Sequence, residues 1–216
     1  MATEWRIVRA EVTGSWRSDR FTYARWEDWL PSIDLAKVDV DDARADLAHR
    51  YFADYGPGTV DDFRWWSGLT MAQAREATAV LDSSLRGAEQ VVGLRLLPVW
   101  DALMVAYEDR SRLIDVDRLP FVYDLGGNAT SVVISDGRVE GVWDLGTDDS
   151  DLEIRVGPFG TWSEKWWRSV ESESGRIAAM IGSASVSVVR CSGPLSLHEG
   201  PRNRFLSPLK EARADR

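Results

Sequence analysis

Few side chains able to do chemistry stand in suggestive spacing in this 216-residue sequence. His49 and His198 are the two histidines, and neither has a nucleophile beside it in a recognisable motif, so hydrolase triads find no support. Cys191 is the single cysteine, which excludes intramolecular disulfides and multi-cysteine zinc sites by counting. Asp148, Asp149, Asp151 and Glu153 form an acidic cluster suited to a hard cation, but without the glycine and spacing of a calcium loop they read as a solvated turn. Ser207 and Lys210 make a bare Ser-x-x-Lys with no companion motif. Neither a Walker A sequence nor a Gly-x-Gly-x-x-Gly occurs, which argues against a standard nucleotide fold. The residues therefore assign no catalytic group, no metal and no cofactor.

Nucleic-acid binding has more to draw on, though the formal charge is -9, from 26 basic and 35 acidic residues. Screening over about 8 Å at physiological salt lets a local basic strip grip phosphates despite a distant acidic excess. Lys37, Lys165 and Lys210 are the only lysines, so the basic residues are overwhelmingly arginines, whose planar fork suits phosphate and guanine; a GC-rich genome explains the same bias. Arg17, Arg20 and Arg25, interleaved with Trp16, Phe21, Tyr23 and Trp26, make the best basic-aromatic stretch, and a surface strand with ordinary ion pairs explains it equally well. Arg64, Gln73 and Arg75 complete the candidate DNA contacts, Gln73 as a reader of adenine edges or, more simply, as a helix cap. The 11 tryptophans are expected to anchor the core.

The elements that position these residues follow from periodicity. WRIVRAEV and RFTYARW alternate like strands around the turn-prone TGSWRSD, which predicts an extended hairpin. From Asp41, Ala43, Leu47, Tyr51 and Tyr55 recur at four-residue steps until Gly56-Pro57. Thr59 with Asp62, and Thr70 with Gln73, stand as capping boxes for two further helices separated by Gly68. A long helix followed by two short ones across a tight turn is the sequence form of a helix-turn-helix. VVGLRLLPVW, ALMVAY, PFVYDL, ATSVVI, RVEGVWDL and LEIRV read as strands, with Asp136-Gly137 as a hairpin turn. Ser163 caps a helix to Ile181, with Trp166, Val170, Ile177 and Ile181 inward, before a last strand SVSVVRC.

Read together, TGSWRSDRFTYARWEDWLP, LAHRYFADYGPGTVDDFRWWSGLTMAQAREA, LRLLPVWDALMVAYEDRSRLI and SDGRVEGVWDLG resemble the winged-helix DNA glycosylases of the AlkZ and YcaQ type, which unhook bulky adducts and interstrand crosslinks. The most specific blocks are Arg50-Tyr51 through Tyr55-Gly56-Pro57, Trp66 to Leu69, Leu97-Pro98 with Asp101, and Asp109-Arg110. The resemblance implies winged helices followed by a β-barrel, and it covers only the C-terminal part of the longer family pattern. It also implies a catalytic triplet of glutamine or histidine, a hydrophobic residue, then glutamine or aspartate. Gln73 precedes Ala-Arg, Gln90 Val-Val, His49 Arg-Tyr and His198 Glu-Gly, so no residue here completes it.

The expected fold is α+β: a winged-helix (helix-turn-helix) unit followed by a β-barrel-like domain with a covering helix. Residues 1–36 are expected as an N-terminal extended segment, 37–84 as the winged-helix unit, 85–192 as the barrel-like domain and 193–216 as a flexible tail. The expected role is a non-catalytic binder of double-stranded DNA related to repair glycosylases. Two others stay open: a protein- or small-molecule-binding module on the same fold, and a glycosylase whose catalytic part lies upstream or on a partner chain supplying N-terminal winged helices. No apolar run nears the roughly 18 residues of a membrane span and residues 1–20 lack a signal-peptide pattern, so a cytoplasmic location without a membrane partner is expected.

Overall fold

The computed structural model describes residues 7–14, 20–79, 81, 92–148 and 151–197. The chain divides into two compact units, 1–46 and 47–216.

In the first unit β1 (Ile7–Val12) pairs antiparallel with β2 (Phe21–Arg25). The hairpin read from the alternating pattern is therefore present. The short helix α1 (Trp26–Trp29) and a 3₁₀ turn at Leu35–Lys37 follow, the turn capped by Asp34, whose carboxylate accepts from the Ala36 N–H at 3.1 Å. Asp39 then accepts from the N–H groups of Asp41 and Asp42 and opens α2 (Val40–Tyr55). The boundary between the units falls inside this helix.

The second unit begins with three helices. α2 is followed by α3 (Val60–Ser67) and α4 (Met71–Ala79), packed around Ala48, Tyr51, Phe63, Ala74 and Ala77. Both halves of the Thr59/Asp62 capping box form, and Gly68 ends α3 in the left-handed conformation, φ 71°, that a residue with a Cβ adopts at a cost.

A five-stranded sheet follows in the order β3 (Leu94–Leu97), β4 (Val132–Ser135), β5 (Arg138–Asp148), β6 (Asp151–Pro158), β7 (Ser185–Arg190). Neighbours run antiparallel except β6 and β7, which are parallel and joined by α6 (Glu164–Ile181). Asp136 and Gly137 both have positive φ, as a two-residue hairpin turn requires. Among the described residues β3 and β7 each pair on one side only, so the sheet is an open, curled half-barrel rather than a closed barrel.

The half-barrel is buried on both sides. One side holds Leu94, Leu96, Val133, Trp143, Ile154 and Val156 under Trp167, Val170 and Ala178 of α6. In that helix Trp167 takes the buried place beside Val170, while Trp166 is only half-buried. The other side holds Val132, Val139 and Val142 under the connection between β3 and β4. That connection explains where the strand pattern misleads. ALMVAY is a 3₁₀ helix over Ala102–Val105, capped by Asp101, and PFVYDL contains the short helix α5 (Leu119–Val122) with Pro120 in its first turn. Both runs are apolar because they cover a sheet face, and a continuous apolar run reports burial without reporting period.

Beyond β7, Gly193 to Leu197 pack back onto the unit, with Leu197 buried; residues 198–216 lie outside those described. Among the described residues no helix is long and apolar enough to cross a membrane.

Gly157 is where this return meets the sheet: a Cβ there would lie 2.6 Å from the Gly193 carbonyl oxygen and 2.7 Å from the Leu195 nitrogen. Both are backbone atoms with no rotamer to yield. Gly157→Ala is expected to destabilise the protein by about 1–3 kcal/mol in urea unfolding, and an unchanged midpoint would contradict this packing.

Candidate nucleic-acid interface

The candidate interface is built outward from one buried carboxylate. Asp62 is the third residue of α3; its Oδ2 accepts from the Thr59 N–H at 3.0 Å and from the Thr59 hydroxyl at 2.8 Å. Its other oxygen accepts from the Glu108 N–H at 3.1 Å, and Arg112 donates to Oδ2 at 3.2 Å. Arg112 also donates to the Pro57 carbonyl and lies 4.3 Å over the Tyr107 ring. Burial acts to raise the Asp62 carboxyl, but the bonds from Thr59 and Glu108 and the charge of Arg112 outweigh it and hold the group below the usual carboxylate range.

Tyrosines complete the joint. The Tyr51 hydroxyl, on α2, donates to the Ala106 carbonyl at 2.9 Å, and the Tyr107 hydroxyl donates in return to the Tyr55 carbonyl of α2 at 2.7 Å. The Tyr123 hydroxyl donates to the Met104 carbonyl at 2.7 Å, and burial pushes this phenol up to about 12, so it stays a donor throughout the working pH range. The 50–57 block thus meets residues 106–112, which lie within the LRLLPVWDALMVAYEDRSRLI segment of the resemblance, as the clamp between the helices and the covering segment. An open cleft of about 390 Å³ lies over this joint, lined by Thr59, Asp61, Asp62, Glu108, Asp109 and Arg112.

The site residues read from the sequence are dispersed. Arg64 faces Glu108 at 3.1 and 3.3 Å, so its charge is paired across 44 residues of chain. Gln73 caps α4: its Oε1 accepts from the Thr70 N–H at 3.0 Å and the Thr70 hydroxyl at 2.9 Å. Arg75 is exposed on α4 and has no carboxylate partner among the described residues. In the first unit Arg25 is bound to Glu27 and lies 3.9 Å from Asp28. Arg20 begins the return strand, where its carbonyl accepts from the Thr13 N–H at 2.9 Å, and Arg17 lies outside the described residues. Arg9, which the sequence did not single out, stacks 4.1 Å over the Phe21 ring. α3 and α4 bring Arg64, Gln73 and Arg75 onto one helix pair; Arg20 and Arg25 belong to the other unit.

The acidic cluster at Asp148–Glu153 straddles the turn from β5 to β6, part of which lies outside the described residues. Among the described residues no group of three histidines, cysteines or carboxylates is placed to hold a metal ion.

A protein-family model described as DNA glycosylase AlkZ-like matches residues 1–180. Comparison with curated protein sequences gives no match. Among solved structures, the Streptomyces sahachiroi DNA glycosylase AlkZ is similar at 22% identity with a TM-score of 0.63, over 82% of this chain and 53% of that one. At this identity the likeness is one of fold, and the chain spans about half the length of that structure.

The joint has a pH signature. The Asp62 carboxyl is depressed in the folded state relative to about 3.9 unfolded. The unfolded chain therefore binds more protons at mildly acid pH, and the stabilisation, complete above about pH 5, is lost as pH falls through the folded value. Asp62→Asn should cost about 2–4 kcal/mol at pH 7 and flatten the acid limb of a stability-against-pH curve. An unaltered acid limb in the variant would exclude this role for Asp62.

Proposed function

The chain belongs to the family of AlkZ-like DNA glycosylases, and from that premise we propose that it binds double-stranded DNA without carrying the base-excising group itself. In this reading α2, α3 and α4 form a winged-helix unit and α4 is its recognition helix. The observation that carries the proposal is the α3–α4 pair. Two short helices meet across Gly68–Thr70, the turn length of a helix-turn-helix, and the outer face of the second presents Arg75 without a carboxylate partner among the described residues.

The missing chemistry is read from the sequence. Excision needs a polar group to position water or stabilise charge at the sugar, and no glutamine or histidine of the 216 residues begins the triplet that the resemblance implies. Grip on the duplex requires no such group.

A second reading, an interaction module for protein or small-molecule ligands, is favoured by the -9 charge and by the acidic lining of the cleft at Asp61, Asp62, Glu108 and Asp109.

Fluorescence anisotropy with duplex DNA across a salt series separates the two. Binding that weakens steeply with salt supports the first reading; none at low salt supports the second. Arg75→Ala is expected to reduce the salt slope by about 1. Arg25→Ala and Arg64→Ala should leave the slope unchanged, because their charges are already matched by Glu27 and Glu108. Incubated with alkylated duplex, this polypeptide alone should release no free base, and release would overturn the non-catalytic assignment.

A further inference from the structure

A strained turn follows β3. The Asp101 N–H donates back to the Pro98 carbonyl at 3.3 Å, and Trp100, the third residue of this turn, has φ 60°. Tight turns give that left-handed place to glycine or asparagine, because a Cβ there crowds the neighbouring backbone. A tryptophan is a costly occupant, and burial does not explain it, since Trp100 is 54% exposed. Strain kept at an exposed position is the kind of outlier that points to function.

The turn is tied to a second exposed feature. The Trp100 N–H donates to the Ala129 carbonyl at 3.0 Å, and Ala129 pairs with Tyr123 to close the loop 124–128. Within that loop the Asp124 N–H donates to the Asn128 carbonyl at 3.1 Å and the Gly127 N–H to the Asp124 carbonyl at 3.0 Å. Its tip residue, Leu125, is 80% exposed. Backbone hydrogen bonds therefore tie together two adjoining turns on which Trp100 and Leu125 both stand exposed. Arg110 lies 3.8 Å over the Tyr123 ring, with its Nη2 3.1 Å from where a Gly127 Cβ would stand. It has no carboxylate partner among the described residues, whereas Arg112, two positions on, is paired with Asp62. The local carboxylates are turned into their own loops: Asp124 accepts from the Asn128 N–H and side-chain amide at 2.8 and 2.9 Å, and Asp101 from the Leu103 N–H at 3.0 Å.

Exposed apolar side chains on tied turns beside a guanidinium fit a partner with flat faces to stack on and phosphates within reach. Duplex DNA at a weakened base step offers both, since aromatic and branched residues wedge between bases and an aromatic ring stacks on any of them. We propose that Trp100 and Leu125 form a wedge for an unstacked step of duplex DNA, with Arg110 as the phosphate ligand beside it. The inference rests on the duplex-binding reading above and adds to it the place where distorted DNA is told from regular DNA.

The test uses the full chain and two duplexes, one fully paired and one with a central two-base mismatch. The wild type is expected to bind the mismatched duplex more tightly. Trp100→Gly and Leu125→Ala should each weaken that binding about tenfold, the effect of losing roughly one stacking contact, while affinity for the paired duplex stays within about twofold. Trp100→Phe, which keeps a flat ring at this position, should retain most of the preference for the mismatched duplex, whereas a tryptophan with only a packing role would leave that preference unchanged even in Trp100→Gly. Equal weakening on both duplexes, or none on the mismatched one, overturns the wedge and leaves the duplex-binding reading standing. No binding of either duplex by the wild type at low salt removes both.

Discussion

The Asp62 carboxylate is the constraint on which the second unit depends. A carboxylate that deep costs several kcal/mol unless its lone pairs are met, and here Thr59, Glu108 and Arg112 must all be in place to meet them. Thr59 belongs to the start of α3, Glu108 and Arg112 to the segment that covers one face of the half-barrel. One group thus serves as a helix cap and as the bolt between two parts of the fold. The Tyr51 and Tyr107 hydroxyls, each donating to the other side's backbone, fix α2 to the same segment. With α2 and α3 pinned and Gly68 setting the turn, the direction of α4 and of Arg75 is inherited rather than chosen.

The acidic excess works on the interface in a way that the net charge alone does not convey. Among the described residues it gives many arginines a carboxylate: Arg25 has Glu27, Arg64 has Glu108, Arg155 has Asp144 and Arg190 has both Glu164 and Glu171. Such pairs contribute little stability where exposed, yet each withdraws a cation from the supply that phosphates could attract. Arg75 and Arg110, like Arg9 and Arg168, have no carboxylate partner among the described residues. In the duplex-binding proposal, phosphate contacts from these described arginines are few, and shape and stacking carry more of the recognition.

What was legible in the sequence was local. Thr59 with Asp62, Thr70 with Gln73, Asp136-Gly137 and the alternating strands of the hairpin are signals whose donors and acceptors lie within a few residues, and each forms as read. The resemblance segments holding Tyr51 and Arg64 and those holding Ala106 and Glu108 were visible, but their reason was not, because Tyr51 meets Ala106 across 55 residues and Arg64 meets Glu108 across 44. The carboxylates beside Arg25 and Arg64 therefore had no signal in the sequence pattern that singled these arginines out. ALMVAY looked like a strand because a segment lying over a sheet face is as apolar as the sheet itself. Trp100 could not be singled out at all: its residue type suggests a core anchor, and only φ and exposure show otherwise.

The two units differ in what holds them, and this bears on which contacts can be precise. No described residue of the first unit is buried, and Val12, Tyr23, Trp29 and Val40 are exposed. A two-stranded hairpin with so little burial has marginal stability of its own, so Arg20 and Arg25 stand on an element whose geometry is held chiefly by backbone pairing and by ring contacts such as Arg9 on Phe21. Arg75, Arg110 and Trp100 instead rest on helices and turns anchored in closed cores. Recognition that depends on placing a side chain within a fraction of an ångström requires the second kind of support, while the first suffices for a screened charge. In the duplex-binding proposal, this difference in support places discrimination on residues 47–197 and leaves to the hairpin a contribution to attraction.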